Sequence, residues 1–336
     1  MPFCGGQRLL EAYQLAQANG YAFMANNIAE ANIFLGLAVA YTEERADLLV
    51  QISPGAAKFA GAGNKLVGLR ALATMVHEMS KAFPIDVFIN LDHFTTKEMD
   101  LIQEAIDKRL VSSIMIDASA EDFDDNVRIT REVVDMAKGS GILIEAELGK
   151  IKGVEDEISS DESLYTDPAE AVEFMDRSKA DLLAISVGTQ HGVSKGRELD
   201  LRVDLAADIR DHLKAAKMPA LLVLHGSSGL LEDQVRAMIR NGICKLNKDT
   251  HYQYVYGRTA CGFYQEHAGE IVPPETIEDD VVNLFAGSDW SPNKKHFDPR
   301  AVGRAIQASI GDIARELIRQ AGNGGKSRGA EKGSVA

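Results

Sequence analysis

Eight short apolar runs in strict alternation with longer amphipathic stretches constrain this chain more than any other feature of its sequence. The runs are YAFMAN (21–26), DLLVQIS (47–53), IDVFINLD (85–92), SSIMID (112–117), ILIEAE (142–147), DLLAISV (181–187), ALLVLH (220–225) and GICKLN (242–247). Near-continuous apolar character marks strands covered on both faces, as in a parallel sheet flanked by helices. Helix-like segments fill the gaps at 29–45, 65–82, 96–109, 122–137, 169–177, 204–216 and 232–241. TDPAEAV (166–172) carries a start signal, with Asp167 as N-cap and Pro168 at the first helical position. This order of elements is that of a (β/α)₈ barrel. An open doubly wound sheet shares the local pattern and is the alternative.

At 336 residues and 45% hydrophobic composition the chain can build one large core. The expected organisation is a single barrel domain over 1–321, with an N-terminal helix and a C-terminal helical extension. The small polar residues 322–336 are expected to be a disordered tail. Residues 148–166, polar and acidic, interrupt the rhythm after the fifth strand, as a functional loop such as a lid does.

The formal charge of −14 argues against nucleic acid or an anionic membrane surface as partner. A phosphorylated small molecule stays compatible, because backbone N–H groups and a few local cations suffice to hold it. Cys4, Cys244 and Cys261 have no paired spacing and read as reduced thiols, not as a disulfide framework. With no secretory pattern at the start and no apolar run near ~18 residues, a cytoplasmic protein is expected.

The polar residues of the strands gather at their C-terminal ends. Strand 3 ends in Asp92-His93, strand 4 in Asp117, strand 5 in Glu145-Ala146-Glu147, and strand 6 leads to Thr189-Gln190-His191-Gly192. Strand 7 ends in HGSSG (225–229) and strand 8 in NKDT (247–250). In a barrel these ends share one rim, where active sites lie. A lone histidine after an apolar run is usually structural. His93, His191 and His225 together, with Glu147 nearby, make a catalytic zinc site the better reading. Gly192, Gly226 and Gly229 are ordinary turn glycines taken singly. As a set, with Ser228, Thr250 and Lys195, they fit a phosphate cradle. Asp92 reads as a cap or an acid/base. Glu155 reads equally as a solvated loop residue or a base on a lid. Lys245, inside strand 8, leaves open a metal-free Schiff-base aldolase.

The ordered set QISPGAAKFAG (51–61), NLDH (90–93), SSIMIDAS (112–119), EAELGKIKGVED (145–156), GTQHGVSKG (188–196), HGSSG (225–229), GICKLNKDT (242–250) and NKKHFDPR (293–300) resembles the class II fructose-bisphosphate aldolases. It spans about residues 20–304, and the last motif resembles the longer class IIA branch. The resemblance implies Zn²⁺ on His93, His191 and His225, with Glu147 and Asp117 at or near an alternative metal position. It implies Asp92 as acid/base at the C4 hydroxyl and Glu155 as the group moving the proton at C3 of dihydroxyacetone phosphate. Gly192, Lys195, Gly226, Ser228, Asn247, Asp249 and Thr250 would hold the ketose and its C1 phosphate. Ser53 and Arg300 would contact the other phosphate. A monovalent cation, Na⁺ or K⁺, and a homodimer or homotetramer are implied as well.

Four positions depart from the family pattern. Phe94 stands where a small residue is usual, Met24 where strand 1 carries an asparagine, Lys152-Gly153 for a glycine pair, and His251 for an acid. They bear on substrate identity and keep tagatose bisphosphate as an alternative ketose. A retired, non-catalytic phosphosugar-binding barrel is the reading of another class.

Overall fold

The computed structural model describes residues 3–329 except 152, 156–157, 161–163 and 194–197; of 154, 155 and 158–160 it describes the backbone alone. The eight runs become β1 (Phe23–Asn27), β2 (Leu48–Ile52), β3 (Val87–Phe94), β4 (Ser113–Ile116), β5 (Leu143–Leu148), β6 (Leu182–Ile185), β7 (Leu222–Leu224) and β8 (Ile243–Lys248). All pair in parallel, and β8 pairs back onto β1, so the sheet closes. The open-sheet alternative is excluded by that last pairing.

Strand alternation sorts the apolar residues into two cores. Phe23, Ala25, Leu49, Phe88, Leu143, Leu182 and Val223 point into the barrel. Met24, Val50, Ile89, Ile144, Leu183 and Leu246 point outward under the helices. Leu9, Ala12, Tyr13 and Ala16 of the N-terminal helix Gly6–Asn19 join the inner core, with the Tyr13 ring 5.5 Å from that of Phe23. The helix therefore closes the N-terminal mouth and leaves the C-terminal mouth open. Asp167 caps Pro168–Ser178 by accepting from the Ala169 and Glu170 amides.

After β8 the chain continues through Thr250–Glu266, two short helices and the long helix Pro299–Ala321. The last packs on Ala31–Glu43 at Gly36, where a Cβ would come within 2.6 Å of the Gln307 carbonyl oxygen. Only glycine permits that approach.

The expected disorder of the tail is corrected for residues 322–329. The backbone N–H groups of Gly325 and Ser327 donate to the carbonyls of Glu44 and Arg45, and the Ser327 hydroxyl and Arg328 N–H donate to buried Asp47. Burying Asp47 demands such donors, a requirement that tail composition does not reveal. Residues 330–336 lie outside the described part. The segment after β5 includes an antiparallel pair, Gly153–Glu155 with Ile158–Ser160.

Candidate active site

Strand parity would send Asp92 inward and His93 outward, yet the site uses both. A bulge solves this: Leu91 pairs with Ile114 but Phe94 with Ile116, so β3 spends one residue more than β4. His93 sits in that bulge at φ +51°, a left-handed conformation that costs a non-glycine residue roughly 1–2 kcal/mol. The strain turns the imidazole into the mouth.

There it meets two others. Ring centres are 4.6 Å apart for His93 and His225, 5.3 Å for His93 and His191, and 6.2 Å for His191 and His225. Three imidazoles bound at ~2.0–2.1 Å around one tetrahedral ion have centres roughly 5 Å apart. All three are buried. Their second nitrogens sharpen the argument. His93 Nδ1 lies 2.9 Å from Asp117 Oδ2, and His225 Nε2 lies 3.0 Å from Glu145 Oε1. A neutral imidazole has one N–H, and each carboxylate takes it. The remaining nitrogens, His93 Nε2 and His225 Nδ1, then present lone pairs to each other 2.9 Å apart. Asn247 Nδ2 lies 3.2 Å from the same His225 Nδ1; two lone pairs so close suit a shared proton or a cation, and the donor set fits a divalent metal. Burial pushes the pKa of His225 down. Burial would raise the Asp117 carboxyl, but the hydrogen bond and charge of His93 hold it below the usual carboxylate range. Glu147, His93 and Asp117 bring ligand atoms within 4.8 Å of one another, as do Asp92, His93 and His225.

Asp92 is held by three side-chain amides. Gln51 Nε2 and Asn247 Nδ2 donate to Oδ1, and Asn27 Nδ2 donates to Oδ2, each at 2.9 Å. The Met24 departure is thereby corrected. Met24 faces the outer core, whereas Phe23, Ala25 and Asn27 share the inward parity, so the amide at the strand end is that of Asn27. Phe94 is likewise buried in the outer core, away from the mouth. Beneath the histidines, Lys245 Nζ pairs with Glu145 Oε2 at 2.7 Å. Burial would raise Glu145, but Lys245 and then His225 bring it down to about 2. Lys245 thus faces inward as the partner of a carboxylate.

Beside this centre lies a cleft of about 380 Å³ lined by Gly192, Val193, Ser228, Gly229, Thr250, His251 and Tyr254. Gly226, at the start of the turn that carries Ser228 and Gly229, has φ +62°, and a Cβ there would stand 2.7 Å from the Gln190 backbone. Thr250 opens a 17-residue helix, whose first N–H groups suit an anion. Asp249 precedes that helix and accepts from Gln253 Nε2 at 2.7 Å. Ser53 caps Pro54–Ala60 through the Ala56 N–H. Arg300, largely exposed in the C-terminal extension, is paired with Asp298 and is not among the residues lining the cleft. Lys195 and the side chain of Glu155 lie outside the described residues.

Comparison with known proteins bears on this geometry. Residues 7–326 match the family model described as fructose-bisphosphate aldolase class-II. The chain belongs to that family. It is 29% identical to a fructose-bisphosphate aldolase of Streptomyces galbus over 96% of this chain and 99% of the relative. It is 32% identical to one of Helicobacter pylori over 75% of this chain and 84% of the relative. A crystal structure of fructose-bisphosphate aldolase from Campylobacter jejuni superposes with a TM-score of 0.81 at 25% identity, covering 97% of both chains. The YdjI aldolase of Escherichia coli shares the fold, with a TM-score of 0.69 at 24% identity over 95% of this chain and 98% of that one.

For this aldolase, sequence reasoning missed Asn27 and Gln51 as parts of the centre, and it offered Lys245 only as a Schiff-base lysine. Parity could have found Asn27 and Gln51, which sit at inward positions near the C-terminal ends of β1 and β2.

Proposed function

We propose that the chain cleaves fructose 1,6-bisphosphate reversibly to dihydroxyacetone phosphate and glyceraldehyde 3-phosphate, as a step of glycolysis and gluconeogenesis, at the mouth formed by β1, β3, β5, β7 and β8. The observation that carries this is the pair of facing imidazole nitrogens, His93 Nε2 and His225 Nδ1, beside a buried carboxylate clamped by amides. His93, His191 and His225 would hold Zn²⁺, with Glu147 and Asp117 near a second position. The ion supplies Lewis-acid polarisation of the ketose carbonyl. Asp92 accepts the C4 hydroxyl proton as the C3–C4 bond breaks and the aldehyde forms. Glu155 delivers a proton to C3. Asn27, Gln51 and Asn247 keep the Asp92 oxygens aimed and dry. The cleft at Gly192, Ser228 and Thr250, with Gly226, Asn247, Asp249 and Lys195, would take the C1 phosphate, with a Na⁺ or K⁺ beside it. Ser53 and Arg300 would take the other phosphate.

A homodimer or homotetramer is part of this reading, in keeping with the exposed apolar residues Val272, Val281, Val282 and Leu284 of the extension. The unpaired cysteine spacing supports a cytoplasmic setting. The test is His225→Ala with metal analysis and a coupled cleavage assay. Loss of bound zinc and of activity, with the circular dichroism spectrum retained, is the expected result. Full activity in a zinc-free variant would refute the reading. Relative kcat/KM for fructose and tagatose bisphosphates, measured on metal-analysed wild type, decides the C4 preference.

A further inference from the structure

Lys248 is a buried cation that the chemistry above does not use. It ends β8 at an outward position, behind the turn Ser227–Gly229, and is almost wholly buried. Its Nζ donates to the Ser227 carbonyl at 2.6 Å, and among the described residues it has no carboxylate partner. Burying an ammonium without an anion is costly. Burial pushes Lys248 down to about 7. Its surroundings make matters worse for a cation. The N-terminus of Thr250–Glu266 is adjacent, and the half-buried His251 is pushed down to about 4 by desolvation and by the charge of Lys248. A methionine or leucine would fill the space at lower cost.

An anion in the adjoining cleft reverses each of these terms. The cleft is lined by Ser228, Gly229, Thr250 and His251, all within a few residues of Lys248 or its carbonyl partner. The bond to Ser227 has a directional effect too. In a trans peptide the C=O and N–H point opposite ways. Pinning the Ser227 oxygen back toward Lys248 turns the Ser228 N–H forward, toward the cleft. The Leu230 N–H also donates to that oxygen, at 3.3 Å, and steadies the same peptide.

We propose that Lys248 is the built-in counter-charge of this cleft, holding a phosphate dianion from behind the Ser227–Gly229 turn and orienting the Ser228 N–H toward it. It is a positioning residue, since it does not line the cleft itself. The inference rests on the reading of a phosphorylated substrate. It accounts for how a chain of net charge −14 holds a dianion at this mouth.

The test titrates inorganic phosphate and dihydroxyacetone phosphate into the full-length, metal-loaded protein by calorimetry, for wild type, Lys248→Met and Lys248→Gln. Removing one unit charge near a dianion at intermediate dielectric should weaken both probes by ~tenfold or more. KM for the bisphosphate should rise more than kcat falls. Melting temperatures of the variants should match or exceed that of wild type, because a buried unpaired charge is gone. Glutamine keeps a donor for the Ser227 carbonyl without the charge, so it separates charge from orientation and stands in should the methionine variant not fold. Either variant binding phosphate as tightly as wild type overturns the proposal. Wild-type protein that binds neither probe overturns the phosphosugar reading, and the role of Lys248 with it.

Discussion

Replacing Asp92 by Asn changes one oxygen to an NH₂ group and almost nothing in shape. The carboxylate accepts three amide hydrogen bonds, two on Oδ1 and one on Oδ2. In Asp92→Asn the carbonyl oxygen can keep the two from Gln51 and Asn247. The new NH₂ then meets the Asn27 amide, which must turn over to offer Oδ1, an atom with no other hydrogen-bond partner among the described residues. Hydrogen bonds to a charged acceptor contribute about 1.5–3 kcal/mol against about 0.5–1.5 kcal/mol for a neutral one. The variant should therefore lose roughly 1–3 kcal/mol in urea unfolding. The catalytic effect is separate: an amide cannot accept the C4 hydroxyl proton, so kcat for cleavage should fall ~100-fold or more. Zinc content should hold, because the three imidazoles are untouched. The assay couples product aldehyde to a reporter dehydrogenase on metal-analysed protein. A variant with unchanged kcat removes Asp92 from proton transfer. One of unchanged stability shows that the amide clamp contributes nothing.

Gly226→Ala places a Cβ 2.7 Å from the Gln190 backbone at φ +62°, so KM for the bisphosphate should rise about tenfold or more while zinc stays bound; an unchanged KM would show that this turn does not shape the substrate site. Glu145 is depressed to about 2 from the ordinary 4.5, so its contribution to stability is complete above about 4.5 and lost as pH falls toward 2. Glu145→Gln should accordingly lose less stability than wild type between pH 5 and pH 3, as read by thermal melts at each pH; parallel melts would contradict the assignment. Removing residues 323–336 strips Asp47 of the Ser327 and Arg328 donors and should lower stability by ~1–3 kcal/mol with kcat unaltered; a truncated chain that melts like wild type would deny the tail any role in the fold.

The barrel was legible because both-face burial leaves an unmistakable mark, apolar runs of strand length between amphipathic segments. The three histidines were legible for a related reason: polar side chains at the ends of such runs have no place in either core. Other parts were hidden. The bulge that turns His93 inward adds one residue against β4, a mismatch that exists only between strands. The Met24 departure was an error of register, since Asn27 serves the position and Met24 never reaches the mouth. The tail was judged on composition, which says nothing of the Asp47 carboxylate awaiting its donors.

By itself the sequence determined the alternation of elements and the chemical types available at the strand ends, but not the β8–β1 pairing that closes the sheet. The first two are local properties, set by the burial and periodicity of neighbouring residues. Tertiary structure alone decided which groups meet: Glu145 with His225 and Lys245, Asn27 with Asp92, Lys248 behind the Ser227–Gly229 turn. Each pairing joins distant stretches of chain, and its energy depends on angstrom-scale distances that no linear pattern encodes.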